Sequence, residues 1–133
     1  MTTTPDQIRS DPSLKIECSA GKAPGTVIVR LSGPLTQRKM FEAQSLDEER
    51  NLFHFQFQPD CESPNREIFD LSEVPFMDSM GMGSIVTEHV RCQRKGTRLV
   101  LAGATPRVRE LLKLTRMDKV VSMTDTVEEA DTD

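Results

Sequence analysis

Histidine and cysteine are scarce in this chain: its 133 residues include two His, His54 and His89, and three Cys, Cys18, Cys61 and Cys92. The odd cysteine count, wide spacing and lack of any Cys-x-x-Cys pair argue against a disulfide framework and give no zinc-site pattern. His54 and Cys61 make a metal pair only if two absent ligands are overlooked, so neither a metal nor another cofactor is expected. No apolar stretch approaches the roughly 20 residues of a membrane helix. The Thr-rich start also lacks the basic-then-apolar order of an export signal. A cytoplasmic location without membrane contact is the resulting expectation. No Gly-x-x-x-x-Gly-Lys-Ser/Thr phosphate loop occurs, which removes the P-loop class of nucleotide enzymes.

What is present suits one domain with a core of ordinary size. Apolar residues make up 36% of the chain and charged ones 29%, so a core can form beneath a well-solvated surface. Seventeen Lys and Arg against twenty-one Asp and Glu leave a formal charge of -4, which argues against a general nucleic-acid binder. The signs are unevenly spread. Arg91, Arg94, Lys95, Arg98, Arg107, Arg109, Lys113, Arg116 and Lys119 meet only Glu110 and Asp118 in the same span, while the end, Asp125 to Asp133, carries acids and no base. These are read as solvated helix faces and an acidic tail, with the basic zone as an alternative partner contact.

Residues 1–12 are polar with two prolines and read as a loose arm, residues 13–130 as the domain, and 131–133 as an acidic tail. Leu14, Ile16 and Cys18 alternate with Lys15 and Glu17 at strand period, and the β-branched run Thr26 to Ser32 reads as a second strand paired with it. Thr36 can cap a helix from about Arg38 to Arg50, marked by Met40, Phe41, Ala43 and Leu46. Phe53, Phe55 and Phe57 then alternate with His54 and Gln56. That pattern predicts an added edge strand within a long 51–65 segment, with an exposed aromatic contact surface as the alternative.

A central strand is expected over Arg66 to Leu71, a loop holding Pro75 after it, and a helix from about Ser79 to Lys95, stopped by Gly96. Met82, Ile85, Val86 and His89, at offsets of 3, 4 and 7, predict the stripe that packs on the sheet. His89 on that stripe reads as a packing residue rather than a catalytic one. Arg98 to Ala102 is a fourth strand. Thr105 and Pro106 open another helix with Val108, Leu111, Leu112 and Thr115 inward. A short strand at Lys119 to Ser122 and a helical turn at Thr126 to Ala130 close the chain. Strands alternating with helices in the second half imply parallel pairing.

The wording around the loop is specific. Asp70-Leu71-Ser72 to Val74, followed by Phe76-Met77-Asp78-Ser79 to Gly81, closely resembles the signature of the STAS domain (sulfate transporter and anti-sigma factor antagonist), in its stand-alone bacterial antagonist form. The resemblance spans roughly Leu14 to Ala130 and is sharpest from Asp70 to Met82. Thr36 stands where the family often has Asp. The resemblance implies an α/β fold with a mixed four- to five-stranded sheet, its N-terminal pair antiparallel and its later strands parallel, packed with about four helices.

It also implies a role. The Ser after Phe-Met-Asp, here Ser79, is the family's phosphorylation site, and Asp78, Ser79, Met80, Gly81, Met82 and Gly83 would form the partner-docking turn. The implied partners are an anti-sigma factor that is also a serine kinase and a phosphatase acting on phospho-Ser79, with the chain itself a monomer or weak dimer. On this view the unphosphorylated domain releases a sigma factor, carries no cofactor and is not an enzyme. The residues agree: Met77 stands where a nucleophile elbow needs Gly, and His89 lies about three turns along Ser79's own helix, a poor Ser-His geometry. The alternative implied role is an accessory subunit of a transporter or sensory complex. From the residues alone, Asp78 and Ser79 at a helix start are either simple caps or a presented hydroxyl, and Gly81 and Gly83 mark close approach by the protein's own sheet or by a partner.

Overall fold

The structure of the protein, a computed structural model, describes residues 14–44 and 65–132, with the backbone alone at 41–44. The polar arm, the Phe53, Phe55 and Phe57 segment with His54, the Cys61 loop and the second half of the first predicted helix lie outside the described residues.

Five strands form one sheet in sequence order: β1 (Lys15–Ala20), β2 (Thr26–Ser32), β3 (Arg66–Glu73), β4 (Arg98–Ala102) and β5 (Ser122–Thr124). β1 and β2 are an antiparallel hairpin, and every later pair is parallel, with β3 between β2 and β4. The helices among the described residues are α1 (Gln37–Gln44), α2 (Ser79–Lys95), α3 (Pro106–Leu114) and α4 (Val127–Asp131). This is the mixed five-stranded, four-helix arrangement that the sequence implied.

Strand alternation divides the core. Val27, Val29 and Leu31 of β2, Phe69 and Leu71 of β3, and Leu99 and Leu101 of β4 share one face with Met82, Ile85 and Cys92 of α2 and Val108 and Leu112 of α3. Ile68, Val100 and Ala102 point the other way, where among the described residues the short α4 covers them through Ala130 and Val127. Asp70, also on that face, accepts Arg30 Nε at 2.9 Å and the Ser72 hydroxyl at 2.7 Å, a polar tie between β2 and β3. Burial alone would raise the Asp70 carboxyl; these hydrogen bonds outweigh it and hold the group below the usual carboxylate range.

The local stops follow from chemistry already visible in the chain. Gly96 ends α2 at φ 77°, and its N–H reaches back to the last turn, a left-handed cap that glycine adopts without strain. Thr105 Oγ1 accepts Val108 N, with Pro106 in the first turn of α3. Thr36 Oγ1 accepts Lys39 N at 3.3 Å and caps α1.

Two boundaries and one burial differ from the sequence reading. β3 continues two residues further, to Glu73, because Ser32 pairs with Glu73 across a register shift. Residues Met117–Lys119 form a 3-10 turn after Arg116, which has a positive φ of 63°, so the last strand starts at Ser122 rather than Lys119. Cys18 is exposed although it alternates with Leu14 and Ile16, because among the described residues β1 stands at the edge of the sheet and leaves the core toward its hairpin end.

The inner face of α2 also differs. It runs through Gly81, Met82, Ile85, Glu88 and Cys92; Val86 faces outward at 37% exposure, and His89 is half-buried. The apolar residues at 82, 85, 86 and 89 fit a stripe on paper. The helix is rotated so that Glu88 and Cys92, which cluster with Glu67 of β3, turn inward instead.

Candidate functional site

The loop after β3 is zipped to the segment after β2. Gly33 N donates to Glu73 O at 2.9 Å, Leu35 N to Phe76 O at 3.1 Å and Asp78 N to Leu35 O at 3.3 Å, with Leu35 and Met77 paired as an isolated parallel bridge. Buried Leu35 and Met77 anchor this zipper in the core. On the other side, the Arg107 guanidinium of α3 lies 5.0 Å above the Phe76 ring, a cation–π contact joining the loop to a second helix. The N-terminus of α2 is thus held by two separate parts of the chain, the segment after β2 and α3.

Asp78 is the cap of α2 and does more than the sequence suggested. One carboxylate oxygen accepts Gly81 N at 2.9 Å inside α2, and the other accepts Gln37 N at 3.0 Å at the start of α1. A single side chain therefore satisfies free donors of two helices. Partial desolvation pushes its carboxyl up, but the backbone N–H groups of Gln37 and Gly81 outweigh that and hold it below the usual range.

Because Asp78 takes the capping role, Ser79 is relieved of it. Ser79 is exposed in the first turn, and its hydroxyl has no hydrogen-bond partner among the described residues. The two glycines that follow have separate explanations. A Cβ on Gly81 would sit 2.0 Å from Leu35 O, so the protein's own backbone demands that glycine. A Cβ on Gly83 would meet nothing within 4 Å. Self-packing accounts for Gly81 and leaves Gly83 as open surface.

Of the six residues in the predicted docking turn, Ser79, Met80 and Gly83 are exposed, Asp78 is partly exposed, and Gly81 and Met82 are buried. Met80 at 49%, Val86 at 37% and Val90 at 40% are large apolar side chains left uncovered on α2, and Val86 and Val90, at offsets of 7 and 11, lie on Ser79's side of the helix. Sequence reasoning missed Val86 and Val90 because it assigned Val86 inward. Extending the 82/85 period by three and seven residues would have found Glu88 and Cys92 inside and freed 86 and 90. Beside the turn, at the carboxyl ends of the parallel strands, lies an open groove of about 630 Å³ lined by residues including Ser32, Ser72, Glu73, Pro75 and Thr105.

A sheet with an antiparallel leading hairpin and a polar helix start presented from the β3 loop is an arrangement of the STAS type. Residues 18–130 match the STAS domain, and the chain belongs to that family. Its fold is similar to that of an anti-sigma factor antagonist from Mycobacterium paratuberculosis, at 21% identity over 98% of both chains with a TM-score of 0.69. The anti-sigma factor antagonist SpoIIAA in its unphosphorylated form is similar at 20% identity, over 89% of this chain and 93% of that one, with a TM-score of 0.55. A sulfate transporter family protein from Wolinella succinogenes shares the fold at 20% identity and a TM-score of 0.63, over 82% of this chain and 84% of that one. No helix among the described residues is long and apolar enough to cross a membrane.

Proposed function

We propose that this protein is an anti-sigma factor antagonist whose unphosphorylated form binds an anti-sigma factor serine kinase, and that phosphorylation of Ser79 ends the binding. The observation that carries this reading is the exposed Ser79 hydroxyl, unpartnered among the described residues, beside an Asp78 that already supplies the cap. A kinase can reach that oxygen without unfolding anything. The antagonists among the structural relatives support the same assignment.

The switch needs only local electrostatics. Phosphate adds roughly -1.5 to -2 charges next to the Asp78 carboxylate. In the free domain the charge lies in water at a helix N-terminus, whose N–H groups and dipole favour an anion. Under a docked protein the dianion must be desolvated beside a second carboxylate, and each 1.4 kcal/mol of that cost weakens binding about tenfold. The docking face comprises Ser79, Met80 and Gly83, continued along α2 by Val86 and Val90, with buried Gly81 and Met82 shaping it from below. In this reading a single domain over residues 13–130 serves as ligand and substrate, catalyses nothing, and works in the cytoplasm. A separate phosphatase restores binding.

The test is incubation of the protein with a cognate anti-sigma kinase and ATP. One phosphate is expected on the wild type and none on Ser79→Ala, and Ser79→Asp should stay folded yet lose kinase binding. Labelling elsewhere with Ser79 untouched refutes the site. The transporter-family relative favours a second reading, in which the same face docks onto a transporter or sensory assembly without phosphorylation. Capture of a transporter subunit in place of an anti-sigma kinase, insensitive to Ser79→Asp, would establish that reading instead.

A further inference from the structure

Two turns and more beyond Ser79, α2 turns two unusual side chains toward the sheet. Glu88 and Cys92 lie on its inner face and meet Glu67 of β3, with 2%, 3% and 0% of their surfaces exposed. One ligand atom from each of the three lies within 4.8 Å of the others. Cys92 Sγ is 3.2 Å from Glu67 Oε1 and 3.8 Å from Glu88 Oε2. Arg91 faces the outer side of the group, 3.3 Å from each Glu88 oxygen. The remaining oxygen, Glu67 Oε2, is fully buried and has no hydrogen-bond partner among the described residues.

We propose that Glu67, Glu88 and Cys92 form a buried structural site for a divalent transition-metal ion, with zinc as the best fit, that staples α2 to β3. A buried carboxylate is costly unless paired; Arg91 compensates Glu88, and Glu67 avoids the cost in the metal-free state by keeping its proton. An orphaned carboxylate oxygen in the same cluster is the group such an ion would take up. The donor set is one sulfur and two carboxylates. Magnesium and calcium prefer oxygen alone, whereas zinc accepts thiolate and carboxylate together in a four-coordinate site.

Geometry and charge agree with that choice. Ligands about 2.0–2.3 Å from a tetrahedral zinc lie roughly 3.3–3.8 Å from one another. The two sulfur–oxygen distances here are 3.2 and 3.8 Å, within or close to that range, and the three ligand atoms lie within 4.8 Å of one another, so the carboxylates draw together to close the site. With the thiol and both carboxyls ionised, the three ligands carry three negative charges, which Arg91 and one dication balance. Metal entry is then the exchange of two protons, from the Cys92 thiol and the Glu67 carboxyl, for one ion. Since the site is sealed, loading occurs during folding or through local opening of α2.

The test uses the full chain under reducing conditions, unfolded and refolded with Co2+ as a spectroscopic probe and then with Zn2+. One equivalent of cobalt should give a near-ultraviolet thiolate-to-cobalt absorption that zinc displaces. The band should vanish in Cys92→Ser and persist in a Cys18→Ser/Cys61→Ser double variant. Free zinc at 100 times Kd should raise the thermal midpoint by roughly 10 °C. Glu67→Gln mimics the protonated acid and keeps the metal-free packing, but should lose most of that rise. An absent band after refolding, a band surviving Cys92→Ser, or an equal zinc shift in Glu67→Gln would each overturn the site.

Discussion

Substituting Gly81 and Gly83 by alanine, one at a time, tests how the docking turn is built. Both changes remove the same backbone freedom from the unfolded chain, so that contribution cancels in the comparison. Both also replace a helical glycine with the best helix former, worth about 1 kcal/mol. The difference lies in what the new methyl meets. At Gly83 it meets nothing, and a gain of up to about 1 kcal/mol is expected. At Gly81 it would stand 2.0 Å from Leu35 O, 3.0 Å from Leu35 C and 3.1 Å from Leu35 Cγ. Relief to an ordinary contact of roughly 3.4 Å requires more than an ångström of separation between α2 and the segment after β2. Leu35 is fully buried, and its carbonyl accepts the 3.3 Å bond from Asp78 N, so the retreat breaks the zipper. Overpacking of about 1–3 kcal/mol and one or two lost hydrogen bonds of about 1 kcal/mol each outweigh the propensity gain. The net expectation is a loss of about 1–4 kcal/mol, or a midpoint lower by roughly 4–15 °C. Urea and thermal denaturation of the two variants beside the wild type give the answer. A Gly81→Ala protein as stable as wild type would refute the account of why that residue is glycine. Gly83→Ala, more stable yet weaker toward the anti-sigma kinase, is the signature expected if Gly83 is kept bare for a partner.

Asp78→Ala should cost about 1–3 kcal/mol at neutral pH, since it uncaps both α1 and α2, and chemical denaturation reads it directly. Asp78 has a depressed folded-state pKa, so its contribution is present above the ordinary carboxylate range and is lost as pH falls through the folded value. The gap between Asp78→Ala and wild type should therefore narrow in acid; a gap that widens sinks the assignment. For Glu67 the sign reverses. Burial and the neighbouring Glu88 push its carboxyl up to about 9, so the folded state holds a proton that the unfolded chain releases near its ordinary value. Metal-free wild type should lose stability relative to Glu67→Gln as pH rises from about 5 to 8, by denaturation in the presence of a chelator. Asp131 accepts Lys22 N at 2.7 Å and Ala23 N at 3.1 Å, which ties α4 to the β1–β2 hairpin. Asp131→Ala should speed amide exchange at Lys22 and Ala23 and leave the Ser79 turn protected.

Much of this arrangement was legible one residue at a time. Thr36, Thr105 with Pro106, and Gly96 announce helix ends because capping is local: a hydroxyl or a left-handed backbone acts within three or four residues. Alternation in Thr26 to Ser32 and the stop after Ala102 mark strands for the same reason. The Asp70 to Met82 wording carried the family. The sequence did not show which way α2 rolls onto the sheet. Val86 and His89 look as apolar or as amphipathic as Met82 and Ile85, and the choice among them depends on what α3 and β3 present opposite.

By itself, the order of amino acids determined where the capped helices and most strands start, how the second half alternates, and which serine stands at a helix mouth. Tertiary structure alone decided that Gly81 faces the Leu35 carbonyl, that Asp78 caps a second helix, and that Glu67 meets Glu88 and Cys92. Those three facts join positions 46, 41 and 21 or more residues apart. Side-chain chemistry within one turn is written in neighbours, whereas burial and close approach are set by whichever distant segment the packed sheet brings across.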